Sequence, residues 1–90
     1  MQQYKPVLKE ILAKYADTFR KTNHLTQEEM AERLRITSRA YGDLERGKYC
    51  FSAPALLFLL LLLNDDEVSR LLENVRQVVR SLEPPSPGEK

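Results

Sequence analysis

Ninety residues leave room for one domain, whose core is small enough that close packing or a second copy has to support it. With 42 % hydrophobic and 30 % charged residues, the chain falls among ordinary globular sequences and outside the disordered class. A net charge of +1 demands no polyanionic partner, and a lone cysteine, Cys50, excludes an internal disulfide and fits a reducing compartment.

Met1 to Lys5 is polar and carries no targeting pattern, so a cytoplasmic location is expected. From Pro6 to Phe19 apolar residues recur at Leu8, Ile11, Leu12, Tyr15 and Phe19, the spacing of an amphipathic helix, with Pro6 suited to its first turn. Asn23 is expected to end that helix in a left-handed conformation. A second helix should run from Thr26 to about Leu34. Its TQEE start lets Thr26 cap the helix while Glu29 reaches back to the cap, and Leu25 and Met30 take the staple positions. Three residues later Thr37 is a plausible cap for a third helix, with Ala40, Tyr41 and Leu44 on its buried side and Gly47 ending it.

Ser52 caps a fourth helix with Pro54 in its first turn and ALLFLLLLL, residues 55–63, as its body. Nine apolar residues fall short of the roughly 20 that cross a bilayer, and Asn64, Asp65, Asp66 and Glu67 close the run, so it reads as a core helix. Asp65 or Asp66 then caps a fifth helix, in which Val68, Leu71, Leu72, Val75, Val79 and Leu82 keep helical spacing. These elements make residues 1–83 one all-α domain, and the Pro-rich residues 84–90 an extended or disordered tail. His24 has no second ligand near it and Cys50 no positioned base. With no paired carboxylates, phosphate-cradling glycine loop or metal cluster, neither catalysis nor a metal, cofactor or small-molecule ligand is expected.

Two short helices joined by a three-residue turn have the shape of a helix-turn-helix. The stretch LTQEEMAERLRITSRAYGDLERGK, followed by a serine-capped leucine helix, resembles the phage-repressor (lambda-repressor-like, Xre-type) helix-turn-helix family over about residues 25–63. The resemblance implies a five-helix lambda-repressor-like bundle with its helix-turn-helix at helices 2 and 3. It implies base readout in the major groove by Ser38, Arg39, Gly42 and Asp43, with Arg39 the best partner for guanine O6 and N7. Gln27, Lys48, Tyr49 and Arg46 are the implied phosphate contacts, and Glu45 is expected to hold the loop after the third helix. Charge agrees locally: residues 33–48 hold five cations against two carboxylates.

Five positions depart from the family's pattern. Arg35 stands where the turn usually opens with a left-handed glycine, at about 1 kcal/mol. Gly42 weakens the third helix by a similar amount, about 1 kcal/mol. Asp43 puts a carboxylate on a face meant for DNA. In the fourth helix, Phe58 and Leu61 occupy positions that are polar in similar proteins. An extra apolar patch of this kind marks an interface. Phe58, Leu61, Val78 and Leu82 are therefore expected to build a symmetric homodimer, with recognition helices about 34 Å apart on a pseudo-palindromic duplex. The expected function is that of a small transcriptional regulator, a repressor by preference. The competing reading is a protein-interaction module that kept the fold and lost DNA, which Gly42, Asp43 and the near-neutral charge favour.

Overall fold

The computed structural model describes residues 4–83, which form five helices and no strand: α1 (Tyr4–Thr22), α2 (Gln27–Leu34), α3 (Ser38–Glu45), α4 (Ala53–Leu62) and α5 (Asp65–Leu82). The all-α architecture is as the periodicity predicts. The expected tail at 84–90 lies outside the described residues. Among the described residues, no helix is long and apolar enough to cross a membrane.

Each helix from α2 on starts at a side chain that satisfies a free N–H. At α2 the reciprocal box is complete: Glu29 N–H donates to Thr26 Oγ1 at 3.0 Å, and Thr26 N–H donates to Glu29 Oε1 at 2.8 Å. Thr37 Oγ1 accepts from Ala40 N–H at 3.0 Å and Ser52 Oγ from Ala55 N–H at 3.3 Å. The cap of α5 is Asn64 rather than Asp65 or Asp66. Its box with Glu67 closes at 2.8 Å both ways, which leaves the two aspartates in the first turn, where they favour the positive end of the helix dipole. Thr26→Ala removes one such cap, and the midpoint of a urea titration is expected to report a loss of about 1 kcal/mol.

The ends of α1, α2 and α3 share one motif. In each, a residue two or three positions past the helix returns its N–H five residues back: Leu25 to Arg20 O (2.9 Å), Ile36 to Ala31 O (3.0 Å) and Lys48 to Asp43 O (2.8 Å). The residue just before it turns left-handed, at φ 57 for His24, 62 for Arg35 and 78 for Gly47. Asn23 therefore does not take the left-handed position expected of it. Its side-chain amide instead donates to Phe19 O at 2.8 Å, and the neighbouring histidine makes the turn.

The core is built where α1, α2, α3 and α4 meet. Ala16, Met30, Ala31, Leu34, Tyr41 and Leu59 are fully enclosed, with Leu12, Phe19, Leu25, Ile36, Phe51, Phe58 and Leu62 packed around them. Ala16 and Ala31 allow close approach of backbones, and each medium-sized side chain so enclosed contributes about 1.5–3 kcal/mol. The fifth helix runs antiparallel to α1. Glu67 and Arg70 at its start flank Tyr15, Phe19 and Thr22, while Tyr4 at the other end lies beside Glu83. Along α5, only Leu71 is fully buried.

The leucine helix is inserted with Leu59 inward. Its outer face holds Leu57 and Leu61, 60 % and 79 % exposed, because α5 packs along α1. Phe58 departs from the expected patch. It packs against the core, and the Arg35 guanidinium lies 4.2 Å from its ring centroid. That stack contributes about 0.5–1 kcal/mol, which largely offsets the left-handed backbone at Arg35.

Candidate nucleic-acid interface

Residues 35–37 turn the chain from α2 into α3, and the orientation of α3 follows from what it buries. Tyr41 is 0 % and Leu44 7 % exposed, so the opposite side of the helix faces outward. Arg39, Gly42, Asp43 and Arg46 share that outward stripe at i, i+3, i+4 and i+7. Ser38 and Arg39 stand exposed at the start of the helix, in the position from which a recognition helix meets base edges.

Further along the stripe the arrangement differs from the sequence expectation. Gly42 and Asp43 are buried, the latter at 8 % exposure: Arg46 Nη2 donates to Asp43 Oδ1, and the same aspartate borders a hollow shared with Tyr49, Cys50 and Ser52. A base edge would therefore meet the guanidinium rather than the carboxylate. Gly42 gives Arg46 its room: a Cβ there would lie 3.3 Å from Arg46 Nη1. Both departures thus belong to one local structure.

The residues expected to contact phosphate lie at the two flanks. Lys48 and Tyr49 are exposed just past α3, with Lys48 Nζ 5.4 Å from the Tyr49 ring centroid, a long cation–π contact. At the other flank Gln27 is exposed at the first residue of α2, where free N–H groups also favour an anion. Arg35, committed to the Phe58 ring and to Arg33 O at 3.1 Å, adds little to this surface.

One carboxylate ties the flanks to the scaffold. Glu45 accepts from Arg20 Nε at 2.8 Å and Nη2 at 3.2 Å, from Tyr41 Oη at 2.6 Å and from Gln27 Nε2 at 2.8 Å. Arg20 Nη1 also donates to Leu25 O at 3.1 Å, joining α1 to the entry of α2. Burial alone would raise the Glu45 carboxyl, but donors from Arg20, Tyr41 and Gln27 outweigh it and hold it at about 2. The Tyr41 phenol is pushed well above its ordinary range by burial first and by Glu45 second. The structural role expected for Glu45 is thus far wider than one loop. Arg20 is the functional residue that sequence reasoning missed, since nothing in residues 4–22 shows which of the basic side chains meets a carboxylate 25 positions on.

Among the described residues no group of acidic, histidine or cysteine side chains is arranged to hold a metal. The structure defines a helix-turn-helix whose second helix starts with Ser38 and Arg39 exposed. The family model for helix-turn-helix matches residues 10–64, more than half of the sequence, and the chain belongs to this lambda-repressor-like family of DNA-binding regulators. No curated protein and no solved structure matches the chain.

Proposed function

We propose that the protein is a sequence-specific regulator of transcription, acting in the cytoplasm as a homodimeric repressor on a pseudo-palindromic duplex site. The observation that carries this reading is the Glu45 network. It sets Gln27 on one flank and the end of α3 on the other in one frame, with Ser38 and Arg39 exposed between them. Phosphate contacts at the flanks orient the domain, and the side chains between them read bases. Repression needs nothing further than occupancy of a site that another protein has to use.

Support for the dimer comes from Leu57 and Leu61 on the outer face of α4 and Leu72 on α5, with exposures of 60, 79 and 49 %. Val78 and Leu82 are half-buried on the same stripe of α5 as Leu71. Phe58, being covered by Arg35, drops out of the interface set, and Leu57 takes its place. Sedimentation at tens of micromolar is expected to give a dimer for the native chain and a monomer of unchanged helix content for the Leu57→Lys, Leu61→Lys double variant. A native monomer under those conditions overturns the dimer.

DNA binding is tested by fluorescence anisotropy on a pool of genomic duplex fragments, with sequencing of the bound fraction. Affinity should fall as salt rises from about 50 to about 200 mM, and a two-fold symmetric site should be enriched. Weak binding without enrichment would favour an interaction module that uses the α4 leucines.

A further inference from the structure

We infer that Arg46 is a base-reading side chain, presented across Gly42 and braced by Asp43, and that it selects guanine. The inference rests on the proposed DNA-binding function and assigns one position of the site.

Three observations converge on it. The first is exposure: the Arg46 side chain is 66 % accessible while that of its partner Asp43 is 12 % accessible, so the cation lies over the acid and is the group a ligand meets. The second is place. A helical side chain leans towards the N-terminus, over the residues three and four before it, which for Arg46 are Asp43 and Gly42, on the stripe of Arg39. Here it folds back along the helix to Asp43 and lies against Gly42. The third is the glycine. A residue that weakens a helix interior relative to alanine stands at the centre of the recognition helix, and the near neighbour of a Cβ at this position is Arg46 Nη1 at 3.3 Å.

The chemistry follows from the guanidinium's shape. It carries five N–H donors in one plane. Nη2 uses one on Asp43, and the plane keeps adjacent donors for a second, two-point contact. Guanine offers two acceptors in the major groove, O6 and N7, at matching spacing, whereas adenine replaces one of them with a donor. The carboxylate restricts the side-chain rotamers before DNA arrives, which lowers the ordering cost of that contact. It also partly neutralises Arg46. That makes the side chain a poorer ligand for phosphate, where net charge is what counts, and leaves its directional hydrogen bonding intact. Asp43 therefore has a positioning role, and the carboxylate that looked adverse to DNA orients the reader.

The test uses the full chain and a duplex library with a randomised core, recovered and sequenced after binding at two salt concentrations. The native chain is expected to enrich guanine at one position of each half-site in addition to the position read by Arg39. Arg46→Ala and Arg46→Lys should both lose that preference, by roughly ten- to a hundredfold, and keep the rest of the motif. Asp43→Asn and Gly42→Ala should weaken the same preference while the other positions hold, and circular dichroism confirms that the helices remain. If Arg46→Ala instead weakens all sequences equally, lowers the salt slope by about one and is rescued by lysine, Arg46 is a phosphate contact and the inference fails. If the native chain shows no salt-dependent duplex binding, the DNA-binding function itself fails and the inference with it.

Discussion

Replacing Glu45 with alanine is expected to destabilise the protein by about 3 kcal/mol, equivalent to a drop of roughly 12–24 °C in Tm for a domain of this size. The magnitude follows from geometry. The side chain of Arg20 is 17 % and that of Glu45 10 % accessible, so removing the acid takes the shorter of two ion pairs from a part-buried cation, leaving it Asp17 at 3.5 Å, and deprives the Tyr41 hydroxyl of its acceptor. The native chain should show the same interaction as a pH dependence. Glu45 titrates near 4.5 when unfolded and at about 2 in the fold, so its contribution is complete above about pH 4.5 and disappears as the pH falls towards 2. Thermal melts between pH 6 and 2 should therefore decline steeply below pH 4.5, and Glu45→Gln should flatten that part of the curve. An unchanged slope in Glu45→Gln would show that other carboxylates carry the acid sensitivity. Because Gln27 Nε2 also rests on Glu45, the same variants should lose duplex affinity at temperatures where they are still folded.

Arg39→Glu is expected to abolish sequence-specific binding without loss of structure. Arg39 is exposed on the outer stripe of α3, so the exchange disturbs no buried contact, and Tm should stay within about 4 °C of native. A lost bidentate base contact removes about 1–3 kcal/mol per protomer, which a two-fold complex doubles to a roughly 30- to 10⁴-fold fall in affinity. Charge repulsion from the duplex adds to this at low salt. Titration of the native site at about 50 mM salt measures the fall. Retention of native affinity by a folded variant would place the reading face elsewhere than α3.

Much of the path to these residues is legible in the chain. Thr26 with Glu29, Thr37, Ser52 and Gly47 mark helix ends because caps act over three or four residues, within reach of a local reading. Where local signals compete, the reading slips by one position. Asn64, Asp65 and Asp66 are all competent caps, and the choice falls on Asn64 because only from there does Glu67 stand at the third helical residue. Asn23 and His24 show the same slip at the end of α1, since the five-residue return bond from Leu25 decides which residue turns left-handed.

The candidate site divides along the same line. Ser38, Arg39, Gln27, Lys48 and Tyr49 are exposed where the family register puts them, because a turn of three residues and the burial of Tyr41 and Leu44 leave α3 a single orientation. The fates of Gly42, Asp43 and Phe58 were not legible, for each depends on a long basic side chain that folds back on its surroundings. Arg46 lies against the first two and Arg35 against the third. Lysine and arginine have many rotamers of similar energy, so their contacts are selected by what lies within reach in three dimensions.

By itself, then, the sequence determined the number and order of the helices, the turn that makes two of them a DNA-reading pair, and the end of the leucine run short of a membrane span. All of these rest on periodicity and capping within a few residues. Tertiary structure alone decided that Phe58 turns to the core under Arg35 and Leu57 outward in a helix apolar on every side, that Arg20 meets Glu45, and that Arg46 reaches back to Asp43 beside Gly42. Such choices are made by shape and charge between segments distant in the chain, where no local pattern distinguishes one partner from another.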